Sequence, residues 1–314
     1  MSRSRVFATH LALILVASLT LLPFAFVVNN VFRSNTEFYH HFFSAPESFK
    51  GLVELARAYP APASTVFEVE DVDGTARKVP ASDAFRHHLK RAARGPQLAW
   101  EVLRGYMVNS LVVSILTAIG VSALGSSTAY ILARHRFMGR RAIFLVFLAT
   151  MMFPGVLTLV PSFLLVKNLG LLNTYWAMIL PYVAGGQVFA IFVFRSFFAG
   201  IPEELFESAR IDGAGHLGLY LNILLPLSRP AFSVVIIMSV IGTWNNFLWP
   251  FITNTDGSYH VIASGLYVMA TSPHASNFST MYAAYAISSI PLLILFVYAT
   301  RPFLEGMTLG ALKA

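Results

Sequence analysis

The carboxylates of Glu203, Glu204, Glu207 and Asp212 lie close together between two long apolar runs, with Arg210 among them. The spacing is that of a short charged helix. Pro202 suits its first position, the glutamates place negative charge near its positive N-terminal end, and Gly213 suits the position just past its end. Leu205, Phe206 and Ala209 share one face of it. A second run follows, with Leu217, Tyr220, Leu221 and Leu224 as an apolar stripe, until Pro226 and Pro230 break it. Glu203 to Pro230 therefore predicts a helix–turn–helix with an exposed apolar face beside charge. That combination makes and breaks no bonds; it recognises a surface. By composition the stretch equally fits an amphipathic connector lying on lipid headgroups.

A second set of side chains has binding chemistry. Gly242 to Pro250 holds Trp244, Asn245, Asn246 and Trp249. Indole rings stack on the C–H faces of pyranoses, and amides bond sugar hydroxyls. The same residues also describe an interfacial aromatic belt with helix–helix hydrogen bonds. Asn109, Ser110 and Gln187 join these four as residues that line a pathway or gate.

Other chemistry is missing from the chain. It has no G-x-x-x-x-G-K-[ST], hence no phosphate cradle and no ATPase of its own, and no cofactor is expected on it. It has no Cys, which removes disulfides and Cys-ligated metals. His40-His41 and His87-His88 read as surface residues and not as metal ligands. Glu68, Glu70, Asp71 and Asp73 read as solvated charges of a hairpin and not as a cation site. An enzyme would need a His or carboxylate at membrane depth to activate a serine, and the apolar runs contain neither.

The elements that position these residues are spans. With 56% hydrophobic and 12% charged residues in 314 and a mean hydropathy of +0.65, the chain reads as a membrane protein. Six runs are long and apolar enough to cross: 11–28, 106–133, 142–166, 175–194, 231–253 and 281–300. None contains Asp, Glu, Lys, Arg or His. The formal net charge of +7 sits beside the spans, which argues against nucleic acid. Arg3, Arg5, Arg134, Arg136, Arg140, Arg141, Arg195, Arg210, Arg229, Arg301 and Lys313 fall on one side, against Lys167 alone in the short loops opposite. The positive-inside rule then puts both termini and the Glu203–Pro230 loop in the cytoplasm.

The fold class expected is an all-α membrane protein of six transmembrane helices, with a cytoplasmic helix–turn–helix loop and a small extracytoplasmic lobe. The expected divisions are 1–28 (tail and first helix), 29–105 (lobe), 106–301 (transmembrane core with loop 203–230) and 302–314 (cytoplasmic tail). The first span lacks an A-x-A site after Phe24-Ala25-Phe26 and reads as an uncleaved anchor. Within the lobe, Ser64 to Pro80 predicts a hairpin turning at Asp73-Gly74, and Ser82 to Arg94 a helix. The small and hydroxylated residues of 106–133 let helices approach closely, or they line a polar pathway. Pro154, Pro161, Pro181 and Pro291 predict kinked helices of the sort that line transporter cavities.

Glu207-Ser208-Ala209, three residues, Gly213, nine residues, then Ile223-Leu224-Leu225-Pro226 resembles the E-A-A-x3-G-x9-I-x-L-P signature of binding-protein-dependent ABC importers, departing from it only at Ser208. Asp212-Gly213-Ala214 matches its sharper local form. Tyr130 to Gly139 is similar to the Y-x-x-A-R-x-x-F-x-G connection of the carbohydrate members, and Gly306 to Lys313 to their G-x-T-x-G-A-x-K ending. The chain thus resembles the permease subunits of sugar importers, the second membrane subunit of the maltose/maltodextrin type most of all; the 29–105 segment matches least. The resemblance implies that Glu203, Leu205, Phe206, Glu207, Ala209, Asp212, Gly213, Ile223, Leu225 and Pro226 form a coupling helix and turn seated in a cleft of an ATP-hydrolysing subunit. It also implies that Gly306, Thr308, Gly310 and Lys313 contact the same subunits. The implied partners are a second homologous membrane permease subunit, two ATP-binding subunits that use ATP and Mg, an extracytoplasmic solute-binding protein, the sugar and the lipid bilayer. The sequence leaves open an importer of a polyol or glycerol phosphate. It also leaves open an ion-coupled secondary transporter, although such proteins usually keep ionisable groups within their spans.

Overall fold

A computed structural model describes residues 3–40, 43–58, 65–70, 76–272 and 277–311. His41, Ser64, Asp71, the Asp73-Gly74 turn and Lys313 lie outside them. The chain divides into two compact units, one of Met1–Gly105 with Gly265–Ile290, the other of Tyr106–Ser264 with Pro291–Ala314.

The first unit begins with α1 (Arg3–Val31), whose most hydrophobic stretch buries none of its residues. The short α2 (Asn35–His40) and α3 (Glu47–Ala58) follow. Strands β1 (Val66–Glu70) and β2 (Ala76–Pro80) then pair antiparallel, with Glu68 opposite Lys78. Opposite charges facing across strands favour that register. A polar cluster holds the unit together. Glu37 is buried, and its carboxylate accepts from Arg91 Nη2 at 2.9 Å, Ser34 Oγ at 3.0 Å and the Glu47 N–H at 2.9 Å. Phe278 stacks on Phe38 with centroids 4.5 Å apart, and Ser279 Oγ donates to the Val31 carbonyl at 2.6 Å.

Next comes α4 (Ala81–Arg134), one helix of 54 residues. The sequence predicted a helix ending near Arg94 and a separate span from 106. Neither Gly95-Pro96 nor Gly105 interrupts it. Pro96 removes one backbone donor without supplying an alternative turn, and the glycine before it is required by packing: a Cβ on Gly95 would come within 1.9 Å of Ser279 Oγ.

The remaining helices are α5 (Arg140–Thr150), α6 (Leu159–Asn168), α7 (Trp176–Ala199), α8 (Glu204–Ile211), α9 (His216–Gly218), α10 (Leu225–Leu227), α11 (Arg229–Trp244), α12 (Leu248–Thr253), α13 (Ile262–Ala270) and α14 (Phe278–Ala311). Four helical stretches are long and apolar enough to cross a membrane: Val6–Val31, Ala81–Arg134, Trp176–Ala199 and Phe278–Ala299. Two bent pairs raise the number to six if each counts as one span: Arg140–Thr150 with Gly155–Asn168 at 90°, and His216–Leu227 with Arg229–Trp244 at 77°. The protein is a helical membrane protein carrying, among the described residues, one small hairpin.

Two predicted spans are therefore broken and not merely kinked. The 142–166 run breaks at 151–154 because Pro154 has no N–H to donate and pushes Phe153 out of the helical region. The 231–253 run stops at Trp244 and resumes at Leu248.

The small residues of α4 serve packing. A Cβ on Gly120 would meet Val183 at 2.7 Å, one on Gly125 would meet Ala190 at 2.6 Å, and one on Gly186 would meet Val121 at 2.7 Å. Glycines on both helices thus let side chains of the facing helix seat directly against the backbone of α4 and α7, which is how membrane helices gain dispersion energy where burial from water gives none. Thr243 donates to Ser114 Oγ at 2.8 Å, closing α11 on the same helix.

Candidate functional site

α8 begins two residues later than predicted, at Glu204 and not at Pro202. Glu203 is its N-cap, and its carbonyl accepts from the N–H groups of Phe206 at 2.8 Å and Glu207 at 3.0 Å. Pro202 thus precedes the cap. The helix ends as its sequence requires. Gly213 has φ +85°, its N–H bonds the Arg210 carbonyl at 3.0 Å, and the Ala214 N–H reaches back to the Ala209 carbonyl at 2.9 Å. That pair of bonds is the Schellman closure, which needs a left-handed residue where Gly213 stands.

The loop is fixed to the end of α4 by Arg134. Its guanidinium donates to Glu203 Oε2 at 2.7 Å and to the carbonyls of Phe198 and Ile201, both at 2.6 Å. It lies over the Phe206 ring, 4.2 Å from the centroid. Glu203 also takes Arg210, at 3.2 Å. Further along, Ser126 Oγ and Tyr220 OH are 2.6 Å apart, Tyr220 packs on Tyr130, and the rings of His135 and His216 lie 5.1 Å apart. Between α9 and α10 the backbone is π-helical over Leu219–Leu224. The wider turn aligns residues five apart, so Leu219 and Leu224 both face inward and are buried.

The apolar face the loop offers differs from the one predicted. Phe206 is 1% exposed and sits in a core with Phe194, Phe198, Leu219 and Leu224. Its ring is turned inward by the stacked Arg134, so it is not available to a partner. Ala209, Ile223 and Leu225 are half-buried, whereas Pro226 is exposed. The large apolar groups that do face outward are Leu205 at 43% exposure, Ile211 at 86%, Leu217 at 70%, Leu221 at 47% and Leu227 at 46%. Glu204, Glu207 and Asp212 stand exposed beside them. The surface is an apolar strip edged with carboxylates on a backbone pinned from behind.

The pathway candidates divide. Asn109 donates to the carbonyls of Ser258 at 3.1 Å and His260 at 2.9 Å and accepts from Tyr175 OH at 2.7 Å. Ser110 Oγ accepts the Ile262 N–H at 2.7 Å, and Trp249 Nε1 donates to the Ala177 carbonyl at 2.9 Å. These three, with the buried Trp244, are internal ties that hold the 254–262 segment and α12 in place. Asn245 is exposed and bonds its own helix at Ile241; Asn246 accepts the Trp249 N–H at 3.2 Å. Gln187, half-buried, donates to the Val183 carbonyl at 3.0 Å. Gly306, Thr308 and Gly310 lie on the last turns of α14. Among the described residues no three His, Asp or Glu side chains gather as metal ligands.

In the sequence Arg134 stands out only as loop charge and as part of the Tyr130–Gly139 motif, and neither assigns it a role at this site. The signal was its position, the first ionisable residue after an uncharged span and the arginine of Y-x-x-A-R.

The architecture is that of a helical membrane protein with several apolar spans and a helix–turn–helix on the connection between two of them. Residues 122–303 match the family described as binding-protein-dependent transport system inner membrane component, and the chain belongs to that family. It is 36% identical over 209 residues to the diacetylchitobiose uptake system permease protein NgcG of Streptomyces coelicolor, covering 66% of this chain and 69% of the relative. It is 33% identical over 208 residues to the arabinooligosaccharides transport system permease protein AraQ of Bacillus subtilis, covering 66% and 73%. With the sn-glycerol-3-phosphate transport system permease protein UgpE of Yersinia pestis it shares 31% over 202 residues, covering 64% and 71%. A crystal structure of a bacterial ABC transporter involved in the import of the acidic polysaccharide alginate contains a similar fold, with a TM-score of 0.70 at 18% identity, covering 96% of this chain and 98% of that one.

Proposed function

We propose that this chain is one membrane half of an ATP-driven oligosaccharide importer. The observation that carries it is the outward strip of Leu205, Glu207, Ile211, Asp212 and Leu217, on a loop pinned by Arg134 in a member of this family. The strip docks an ATP-binding subunit. Two such subunits bind ATP and Mg, and this chain, without a phosphate cradle, is non-catalytic. A second homologous permease subunit completes the pathway, and a solute-binding protein delivers cargo from outside. The arginine asymmetry of the short loops supports cytoplasmic termini and a cytoplasmic 203–230 loop. Relatives named for diacetylchitobiose and arabino-oligosaccharides support a short oligosaccharide as cargo; none of them supports maltose in particular. A glycerol phosphate, the cargo named for UgpE, is the second reading.

Closure of the ATP-binding subunits moves the loop as one body with the end of α4, because Arg134 and the Phe206 core leave it no slack, and the spans rock between inward- and outward-facing states. The test is co-expression with neighbouring membrane and ATPase subunits, purification, and ATPase assay with loaded binding proteins. Hydrolysis that rises with one saccharide-loaded binding protein supports the reading and identifies the cargo. If no ATPase subunit co-purifies, or the loop is dispensable, the reading fails.

A further inference from the structure

We propose that the cavity beside α2 receives a carboxylate side chain of the solute-binding protein, an inference that rests on the importer reading. The cavity has a volume of about 170 Å³ and is lined by Arg33, Arg91, Arg94, Asn35, Thr36 and Asn277 among others, with no acidic residue on its wall among the described residues. At ~30 Å³ per water it holds one carboxylate group with a few waters.

The wall is built and not merely basic. Arg33 is 1% exposed and donates to Asn30 Oδ1 at 3.1 Å and to the Glu37 carbonyl. Arg91 is held by the Glu37 carboxylate at 2.9 Å and by Ser34 Oγ at 3.3 Å. The oxygen of Asn277 accepts the Thr280 N–H at 3.3 Å. Arg94 is exposed and makes no hydrogen bond or ion pair among the described residues. Three arginines thus surround a space to which Glu37, already engaged, presents no wall. A guanidinium fork in such a place takes a carboxylate in two parallel bonds, and fixing the neighbouring arginines beforehand lowers the ordering cost of docking. The cavity belongs to the polar segment that the charge asymmetry places outside, where the binding protein arrives.

The test uses the assembled transporter in nanodiscs, with ATPase rate titrated against loaded binding protein at low salt. R94E raises the half-saturating concentration tenfold or more, and R94Q gives an intermediate shift. R57E, the same charge change on α3 outside the cavity, gives none. Raising salt to about 0.5 M shrinks the gap between wild type and R94E. Equal half-saturation for wild type and R94E overturns the proposal, as do equal losses in R57E and R94E, which would be diffuse steering. Binding of galacturonate to the permease without binding protein, lost in R94E, would make a free acid the occupant and also overturns it. If no binding protein stimulates the wild type, the importer reading itself has failed and takes this proposal with it.

Discussion

The guanidinium of Arg134, the last residue of α4, reaches the carboxylate of Glu203, the N-cap of α8, at 2.7 Å, and covers the Phe206 ring at 4.2 Å. One side chain thereby joins a membrane helix to the head of the loop proposed to take up force. Its bonds to the neutral Phe198 and Ile201 carbonyls add to the hold. Hydrogen bonds to charged groups are worth about 1.5–3 kcal/mol each, and lysine lacks the planar fork needed to make several at once. R134A is expected to lower the thermal midpoint and cut transport at least tenfold while the partner subunits still hydrolyse ATP; R134K recovers only part. Transport per ATP in proteoliposomes is the measurement, and a wild-type ratio in R134A would dismiss the strut.

Leu205 and Phe206 are neighbours with opposite fates, and substitutions separate them. Phe206 is a core residue, so F206A is expected to cost about 3–5 kcal/mol. L205A changes stability by less than about 0.5 kcal/mol, as surface substitutions usually do, but weakens capture of the ATP-binding subunit. Thermal melts and co-purification yields read the two effects apart. Equal stability losses in both variants would mean that the outward strip is wrongly assigned.

At Gly213 the backbone alone sets the requirement. A Cβ there meets nothing within 4 Å, yet φ is +85°. A left-handed L-residue costs roughly 1–2 kcal/mol, and asparagine pays least among non-glycines. G213A is expected to destabilise the loop by that amount, with G213N nearer wild type. Hydrogen exchange over 208–216 is the check; if the two variants exchange alike, the turn is not held by its dihedral.

Much of this was readable in the sequence, for physical reasons. Uncharged apolar runs mark spans because charge is expensive in hydrocarbon. Gly213 marks a helix end because few residues tolerate positive φ, and the alternation from Val66 to Val69 marks a strand. What was not readable depends on neighbours. The i, i+1, i+4 set of Leu205, Phe206 and Ala209 defines a stripe without saying which edge turns inward; that is decided by Arg134, 72 positions before Phe206 in the chain. The π-helical turn at Leu219–Leu224 has no local signature. Asn109, Ser110 and Trp249 carry groups that suit a sugar equally well, and only the carbonyls of Ser258, His260 and Ala177 and the Ile262 N–H show them already engaged.

The segment that Asn109 and Ser110 tie down contains a pH-sensitive element. His260 lies between α12 and α13, its Nδ1 3.2 Å from Ser264 Oγ, its ring edge-on to Tyr106 and its carbonyl bonded by Asn109. Burial lowers its pKa below the usual histidine value, against the opposing pull of Asp256. The folded protein therefore favours the neutral ring, and below the unfolded pKa of about 6.5 the unfolded segment binds more protons. The stability this histidine contributes is fully present above about pH 6.5 and is lost as pH falls from there through the lowered folded value. Hydrogen exchange of residues 258–264, corrected for the intrinsic pH dependence of exchange, should show weaker protection at pH 5 than at pH 7.5. H260Q, which keeps a polar group of similar reach without titrating, should flatten the difference. Equal corrected protection at both pH values in the wild type would show that the ring is accommodated in either charge state.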